Sequence, residues 1–469
     1  MRVPQIVAFL ALMLVFEQSI AQKKDLNILI IHVDDLGASD LGVYGSDFYE
    51  TPNLDQLAAE GMLFTQSYAA AAICSPSRAA LLTGKYPARL GITDWIRAKF
   101  QGNTTSGKPG EYEVFEDKPM KTPKIQGHLP LEEVTLPERL QSMGFSTLHV
   151  GKWHLGEEGF HPEDQGFDIN IGGNDLGQPP SYFDPYISSN PNPDYVIKNL
   201  PARQSGEFLT DREGSEIIDF IQNKKGRFFI HWAPYAVHTP IMGPEDLVKK
   251  YQNKQPGVQR NPTYAALIEN LDQNVGKVID KLDQLDLRES TLIIFTSDNG
   301  GLVGNPDNPV TVNLGLRSFK GYPYEGGIRV PTIVSLPGQI PVGASSDVPI
   351  ITTDWLPTIL DFLETDSNGG DGQSLKSILL DQGQLPERDF FWHFPHYRGA
   401  DVLPYSIIRS GNYKMIYYFD GEGVELFDLA NDPMEQTNLT NQLPFVVAKL
   451  KAKLKNWWEE TGVRLPVLK

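Results

Sequence analysis

Asp34-Asp35 and Asp298-Asn299 offer only oxygen donors, the set preferred by a hard divalent cation such as Ca²⁺ or Mg²⁺; zinc would want histidine or cysteine. Cys74 is the one cysteine in 469 residues. It opens the stretch Cys74-Ser75-Pro76-Ser77-Arg78-Ala79-Ala80-Leu81-Leu82-Thr83-Gly84, in which Pro76 suits the first turn of a helix, Ser75 can cap it and Gly84 can end it. The cysteine is therefore expected just outside a helix N-terminus, where N–H groups and the dipole favour an anion. Arg78, one turn in, adds a forked positive charge. Lys152 and His154 occupy the glycine-bounded Gly151-Lys152-Trp153-His154-Leu155-Gly156, His238 lies in Val-His-Thr-Pro, and Lys320 in Ser-Phe-Lys-Gly. Taken singly, such an aspartate is more often a cap, such a lysine a solvated charge, and a lone cysteine a small buried hydrophobe. Together they suit chemistry on an anionic substrate.

Five apolar runs are expected to form buried parallel strands that deliver these residues: Asn27 to Val33, Ser146 to Val150, Phe228 to Trp232, Thr291 to Thr296 and Val330 to Leu336. Helix-like segments lie between them, including Pro52 to Gly61, Leu136 to Met143, Asp211 to Asn223 and Tyr264 to Leu285. Alternation of this kind implies an α/β fold, a mostly parallel sheet sandwiched by helices. Ligands of such sheets bind beyond the carboxyl ends of the strands, which gives the polar clusters one address. The texture changes near Asp366-Ser367-Asn368-Gly369-Gly370, a linker-like run. We therefore expect a catalytic part over 22–365 and a smaller α+β subdomain over 366–469, with an antiparallel sheet and a closing amphipathic helix from Phe445 to Thr461. His32, His149 and His231 fall within strand runs and are expected in the core.

Residues 1–21 read as a secretory signal peptide: Met1-Arg2, an apolar stretch from Ile6 to Phe16, and Ser19-Ile20-Ala21 as a small-x-small cleavage site. That stretch is too short to span a bilayer, and no span is expected downstream. The mature chain should begin near Gln22 and be exported, to the periplasm or beyond. A single cysteine permits no intramolecular disulfide, so the core alone must hold the chain together. With 59 acidic against 41 basic residues the net charge is −18, which argues against nucleic acid as a partner. An anionic substrate would then need local positive charge.

Cys-x-Pro-Ser-Arg followed by Leu-Thr-Gly resembles the signature of the formylglycine-dependent (type I) sulfatases, of the alkaline-phosphatase-like superfamily. Gly-Lys-Trp-His-Leu-Gly is similar to that family's Gly-Lys-x-His-x-Gly motif. The run Leu426-Phe427-Asp428-Leu429, Asn431-Asp432-Pro433, Glu435 and Asn438-Leu439 is similar to a C-terminal pattern of many bacterial sulfatases. The resemblance implies that a maturation enzyme oxidises Cys74 to Cα-formylglycine, whose hydrate is the nucleophile. It implies one Ca²⁺, held by Asp34, Asp35, Asp298, Asn299 and the residue derived from Cys74. It also implies that Arg78 and Lys152 orient the nucleophile, a carboxylate such as Asp298 helps activate it, and His238 gives the leaving alcohol a proton. Lys152 and Lys320 would stabilise the sulfate oxygens, and His154 would assist the release of sulfate.

Substrate contacts are expected from the loops Trp95 to Gly127, Phe160 to Arg203, Gly301 to Phe319 and His393 to Leu403. Candidate side chains there are Trp95, Arg97, His161, Asn174, Tyr182, His396 and Arg398, with Arg317 beside Lys320. The expected substrate is a sulfated carbohydrate, an algal polysaccharide or glycosaminoglycan fragment, with exo action. Two alternatives stay open: a formylglycine-dependent phosphonate monoester or phosphodiester hydrolase, and a catalytically dead carbohydrate-binding relative. Asn103-Thr104-Thr105 and Asn438-Leu439-Thr440 are glycosylation sequons for a eukaryotic host.

Overall fold

Seven consecutive buried residues, Asn27–Val33, form β1 at the middle of an eight-stranded sheet. The computed structural model describes residues 26–469, apart from 103–105, 109, 201–203, 306, 367–368, 400 and 422. The expected signal peptide, the Asn103-Thr104-Thr105 sequon and Ser367-Asn368 of the linker lie outside the described residues. The other strands are β2 (Met62–Phe64), β3 (Ser146–Gly151), β4 (Ile169–Ile171), β5 (Phe228–Ala233), β6 (Thr291–Ser297), β7 (Thr332–Ser335) and β8 (Ala344–Ser346), in the order β8-β2-β7-β6-β1-β5-β3-β4. β1 runs parallel to β6, Asn27 opposite Thr291 and Val33 opposite Ser297, and parallel to β5, Ile28 opposite Phe229.

The strands read as unbroken apolar runs because helices cover both faces. Leu29, Ile31 and Val33 enter one core with α1 (Pro52–Ala59), α4 (Leu209–Asn223) and α5 (Pro262–Gln284). Ile28 and Ile30 enter the opposite core with α2 (Cys74–Thr83), α3 (Leu136–Ser142) and α6 (Trp355–Phe362). The helix on which the chemistry depends is thus clamped: every residue of α2 is buried. His32, His149 and His231 are core residues too, and the Nδ1 atoms of His149 and His231 lie 3.1 Å apart.

Two expectations need correction. The fifth apolar run is antiparallel: β7 pairs Thr332 with Thr296 of β6 and with Phe64 of β2. A strand buried on both faces carries the same apolar run in either direction, so the pattern could not orient it. α2 begins at Cys74 itself, with Ile73 as an extended N-cap and no capping side chain. Ser75 Oγ instead accepts the Ile96 N–H at 3.0 Å, while Gly84 ends the helix with a φ of 66°.

Beyond the sheet, β9 (Asp389–Phe394), β10 (Tyr405–Ser410), β11 (Tyr413–Tyr418) and β12 (Val424–Asp428) form a four-stranded antiparallel meander, followed by α7 (Pro444–Thr461). This unit shares a third core with Ala80 of α2 and with Tyr68, Ile73 and Ile328. The chain then returns so that Val467 and Leu468 pair with Lys121 and Met120. That pairing turns part of the expected substrate loop after Trp95 into a three-stranded sheet.

Candidate active site

β1, β3, β5 and β6 all run the same way, so their polar ends meet at one edge. Asp34 is locked there by its N–H to Ala236 O (3.2 Å) and by its carbonyl accepting Val237 N–H (2.9 Å). Asp35 takes a left-handed φ of 61°, an uncommon conformation for a side-chain-bearing residue, and its N–H points to Asp298 Oδ1 at 3.2 Å. β3 ends at Gly151, where an added Cβ would lie 2.2 Å from Ala233 O. The missing side chain lets Lys152 N–H reach that same carbonyl at 2.7 Å and turns the lysine into the site.

Each of three buried carboxylates has its own cation. Lys152 Nζ is 2.7 Å from Asp34 Oδ2, Lys320 Nζ 2.6 Å from Asp35 Oδ1, and Arg78 Nη2 2.8 Å from Asp298 Oδ2. Arg78 also donates through Nη1 to the Lys152 carbonyl at 2.9 Å, tying α2 to the loop after β3. Burial alone would raise all three acids. At Asp35 and Asp298 the neighbouring cations outweigh it and hold the carboxyl low, near 2 for Asp298, whereas burial dominates at Asp34 and raises it to about 7.

Cys74 Sγ lies 3.7 Å from Asp34 Oδ1 and 4.0 Å from Asp35 Oδ1. Burial pushes its thiol up to about 11, so as a cysteine it stays protonated and is a poor nucleophile at neutral pH. Ligand atoms of Asp34, Asp35, Cys74 and His238 all lie within 4.8 Å of one another. Asn299 Nδ2 donates to Asp35 Oδ1 at 2.8 Å, while its own Oδ1 is buried without a hydrogen-bond partner, as is Asp35 Oδ2. Unpartnered buried oxygens among three carboxylates fit a hard divalent cation.

The two histidines are anchored at one nitrogen each. His154, at a φ of 61°, has Nε2 2.7 Å from Ile96 O, which leaves Nδ1 as a buried, unprotonated and unpartnered base. His238 Nδ1 meets Thr239 O at 2.9 Å, and Nε2 faces Asp35 Oδ2 at 3.4 Å. Burial lowers both imidazoles, to about 3 at His238, so both are neutral. Tyr182, expected on the substrate side, is buried behind this segment, its hydroxyl donating to the carbonyls of Tyr235 (2.6 Å) and His238 (2.9 Å).

A cavity of about 190 Å³ opens over this floor, lined by Cys74, His154, His238 and Lys320 together with Trp95 and Arg398. Phe100, Gln101 and Gln178 also line it; none carries a motif, and only their position in loops that leave the strand ends hinted at them. Arg317 does not reach it. Its guanidinium lies 3.7 Å from the Tyr324 ring centroid and donates to Glu435 O at 2.7 Å, on the far side of the left-handed turn at Ser318. His396 is buried against Thr93 Oγ1 at 2.8 Å, Asn174 donates to Val196 O, and His161 lines a separate cavity.

The family model described as Sulfatase matches residues 26–365, and one described as N-sulphoglucosamine sulphohydrolase, C-terminal, matches residues 318–460. The chain is 34% identical over 418 residues to the N-acetylgalactosamine-6-sulfatase of Canis lupus familiaris, covering 84% of this chain and 72% of the relative. It is 31% identical over 479 residues to the arylsulfatase A of Homo sapiens, covering 92% and 86%. The crystal structure of Ps i-CgsB in complex with k-i-k-neocarrahexaose superposes with a TM-score of 0.75 at 25% identity, over 92% of each chain.

Proposed function

The chain belongs to the sulfatase family and is a sulfuric ester hydrolase, and from that premise we propose that it removes sulfate from the end of a sulfated carbohydrate, with residue 74 matured to Cα-formylglycine and a Ca²⁺ bound beside it. What supports this reading most is the convergence of Asp34, Asp35, Asp298 and Asn299 on the floor of a cavity that Cys74 enters. The matured residue supplies, as its hydrate, a hydroxyl nucleophile that a buried thiol cannot. A cation held by those four residues, when bound, supplies Lewis-acid polarisation of that hydroxyl and of the sulfate.

The chain's own groups take the remaining roles. Lys152 and Lys320 face the sulfate oxygens as fixed positive charges, and in a buried site such electrostatic stabilisation is often the largest single contribution. Arg78 orders Asp298 and the Lys152 backbone at once, holding the acid ionised beside the nucleophile. His238, neutral with its proton on Nδ1, can pass a proton to the departing alcohol through Nε2 once that nitrogen has taken one up from solvent, which the negative charge of a bound sulfate favours. His154, with Nδ1 unprotonated, takes the proton whose loss releases sulfate.

The carbohydrate reading draws on the relatives named for an amino sugar sulfate and crystallised with a neocarrahexaose. A cavity of about 190 Å³ is smaller than the ~300–1,000 Å³ of drug-sized ligand sites, which favours one terminal sugar and exo action. Export through the N-terminal signal is part of the same proposal. The test is a panel of sulfated oligosaccharides, an aryl sulfate and an aryl phosphate diester, given to the matured protein with Ca²⁺. Release of sulfate from chain ends supports the reading; faster turnover of the diester assigns the site to phosphoryl transfer.

A further inference from the structure

Arg398 stands at the mouth of the cavity, near enough to Asp94 for its charge to oppose the rise that burial imposes on that carboxyl. It sits on the connection between β9 and β10, where reciprocal backbone hydrogen bonds with Val402 (3.0 and 3.2 Å) close a tight turn. Its guanidinium lies flat over Gly321, the residue after Lys320: a Cβ built there would stand 2.9 Å from Arg398 Cζ and 3.0 Å from Nε and Nη1. Gly321 has a φ of 89°, a backbone conformation that favours glycine, and its missing side chain leaves the guanidinium room to lie there. Arg398 makes no ion pair among the described residues, and its Nη1 is buried with no hydrogen-bond partner.

The acids nearby are engaged elsewhere. Asp401, in the same turn, accepts the hydroxyl of Tyr322, and Asp94 accepts the N–H of Trp95 at 2.8 Å. The three carboxylates of the floor each have a cation of their own, and among the described residues no further carboxylate lines the cavity. Trp95 offers an aromatic face, with the Arg97 guanidinium 5.0 Å from its ring centroid. A buried guanidinium nitrogen left unpaired is costly, so an anion with two acceptor oxygens, a carboxylate or a sulfate, is its natural complement.

We infer that Arg398 is a second anion subsite, and that the sugar entering the cavity carries, besides the sulfate ester that is cleaved, a further carboxylate or sulfate. The inference rests on the sulfatase reading of the cavity floor and adds a substrate class to it: a sulfated sugar with two anionic groups, the second recognised by Arg398 while the ring lies against Trp95. The two possible anions share one chemistry, and substrates separate them.

The experiment compares kcat/KM of the matured protein for a monosulfated hexose, its disulfated counterpart and a sulfated disaccharide containing a uronic acid, with an aryl sulfate as reference. At least one doubly anionic substrate should be preferred over the monosulfated sugar by on the order of tenfold or more, through KM. That ratio should collapse toward one in Arg398→Gln, recover in part in Arg398→Lys, and shrink in the native protein as salt is raised. Turnover of all three sugars with equal kcat/KM overturns the subsite and leaves the sulfatase reading standing. A preference that survives Arg398→Gln overturns it as well. Failure to turn over any of them, the aryl sulfate included, removes the sulfatase reading and the subsite with it.

Discussion

Glu435 Oε2 accepts the backbone N–H of Glu325 at 2.6 Å, joining a loop after β12 to the turn that precedes β7. The same carboxylate lies 2.8 Å from Lys414 Nζ, which is also 3.0 Å from Glu325 Oε1, and all three side chains are buried. The carbonyl of Glu435 meanwhile receives Arg317. Arg317 and Glu325 bracket the segment that carries Lys320, so one residue of the C-terminal sheet region fixes both ends of a loop in the site.

Glu435→Ala should therefore cost about 3 kcal/mol of stability by breaking a buried ionic cluster, and should lower kcat for an aryl sulfate by letting Lys320 drift from Asp35. Urea midpoints and single-substrate kinetics report the two effects. A variant with native stability and native kcat would show that the loop is held by other contacts.

Cys74→Ala should abolish turnover and leave the fold intact within about 1 kcal/mol, since only a small thiol is lost from a helix whose other residues stay packed. Mass spectrometry of the native peptide spanning residue 74 checks maturation directly, because the aldehyde appears as loss of the sulfur. Substantial activity in Cys74→Ala would sink the proposed chemistry.

Stripping divalent cations should lower both activity and thermal midpoint, and Ca²⁺ should restore both better than Mg²⁺. A bound ion stabilises by mass action, and relieving the repulsion among Asp34, Asp35 and Asp298 adds to it. Asn299→Ala should weaken the response to added Ca²⁺ without erasing it, as three carboxylates remain. Melting curves indifferent to chelator and cation alike would dismiss the metal site.

Glu213, on α4, is buried, its hydrogen bonds among the described residues are long ones of 3.4 Å from Trp232 Nε1 and Tyr235 N, and burial raises its pKa to about 8. The folded protein keeps a proton that the unfolded chain releases near its ordinary value of 4.5. The stabilisation is full below about 4.5 and is lost as pH rises through about 8, a few kcal/mol in all. As pH rises from 5 to 8 the urea midpoint of the native protein should fall relative to that of Glu213→Gln, the comparison cancelling the opposite contribution of the buried histidines. Equal slopes in both proteins would mean that Glu213 ionises normally.

The parallel strands were legible because each buried run is mostly apolar and gives way to a polar cluster, so Asp34-Asp35 and Asp298-Asn299 announced where the sheet edge lies. Lys152 and His154 were legible through the flanking Gly151, whose close approach to Ala233 O explains the glycine. The direction of β7 was not legible, since only partner strands orient a run with two buried faces. Ser75 looked like a cap because a serine near a helix start usually is one, but its hydroxyl is taken by Ile96, twenty-one residues later. Choosing between Arg317 and Lys320 depended on the turn at Ser318 and on Glu435, contacts too distant in sequence for any local pattern to encode. Trp95 and Arg398 meet across one cavity from opposite ends of the chain, and spacing carries no trace of that.

The reactive floor comes from β1, α2, β3 and β6, while Arg398 and the Glu435 clasp come from the meander that follows. Inheritance of the two parts is therefore separable in effect but not in geometry. A chimera that grafts another relative's C-terminal sheet onto this floor would redirect which sugars are accepted without altering the bond that is broken. It would work only if the graft brought its own acid to clasp the lysine-bearing loop.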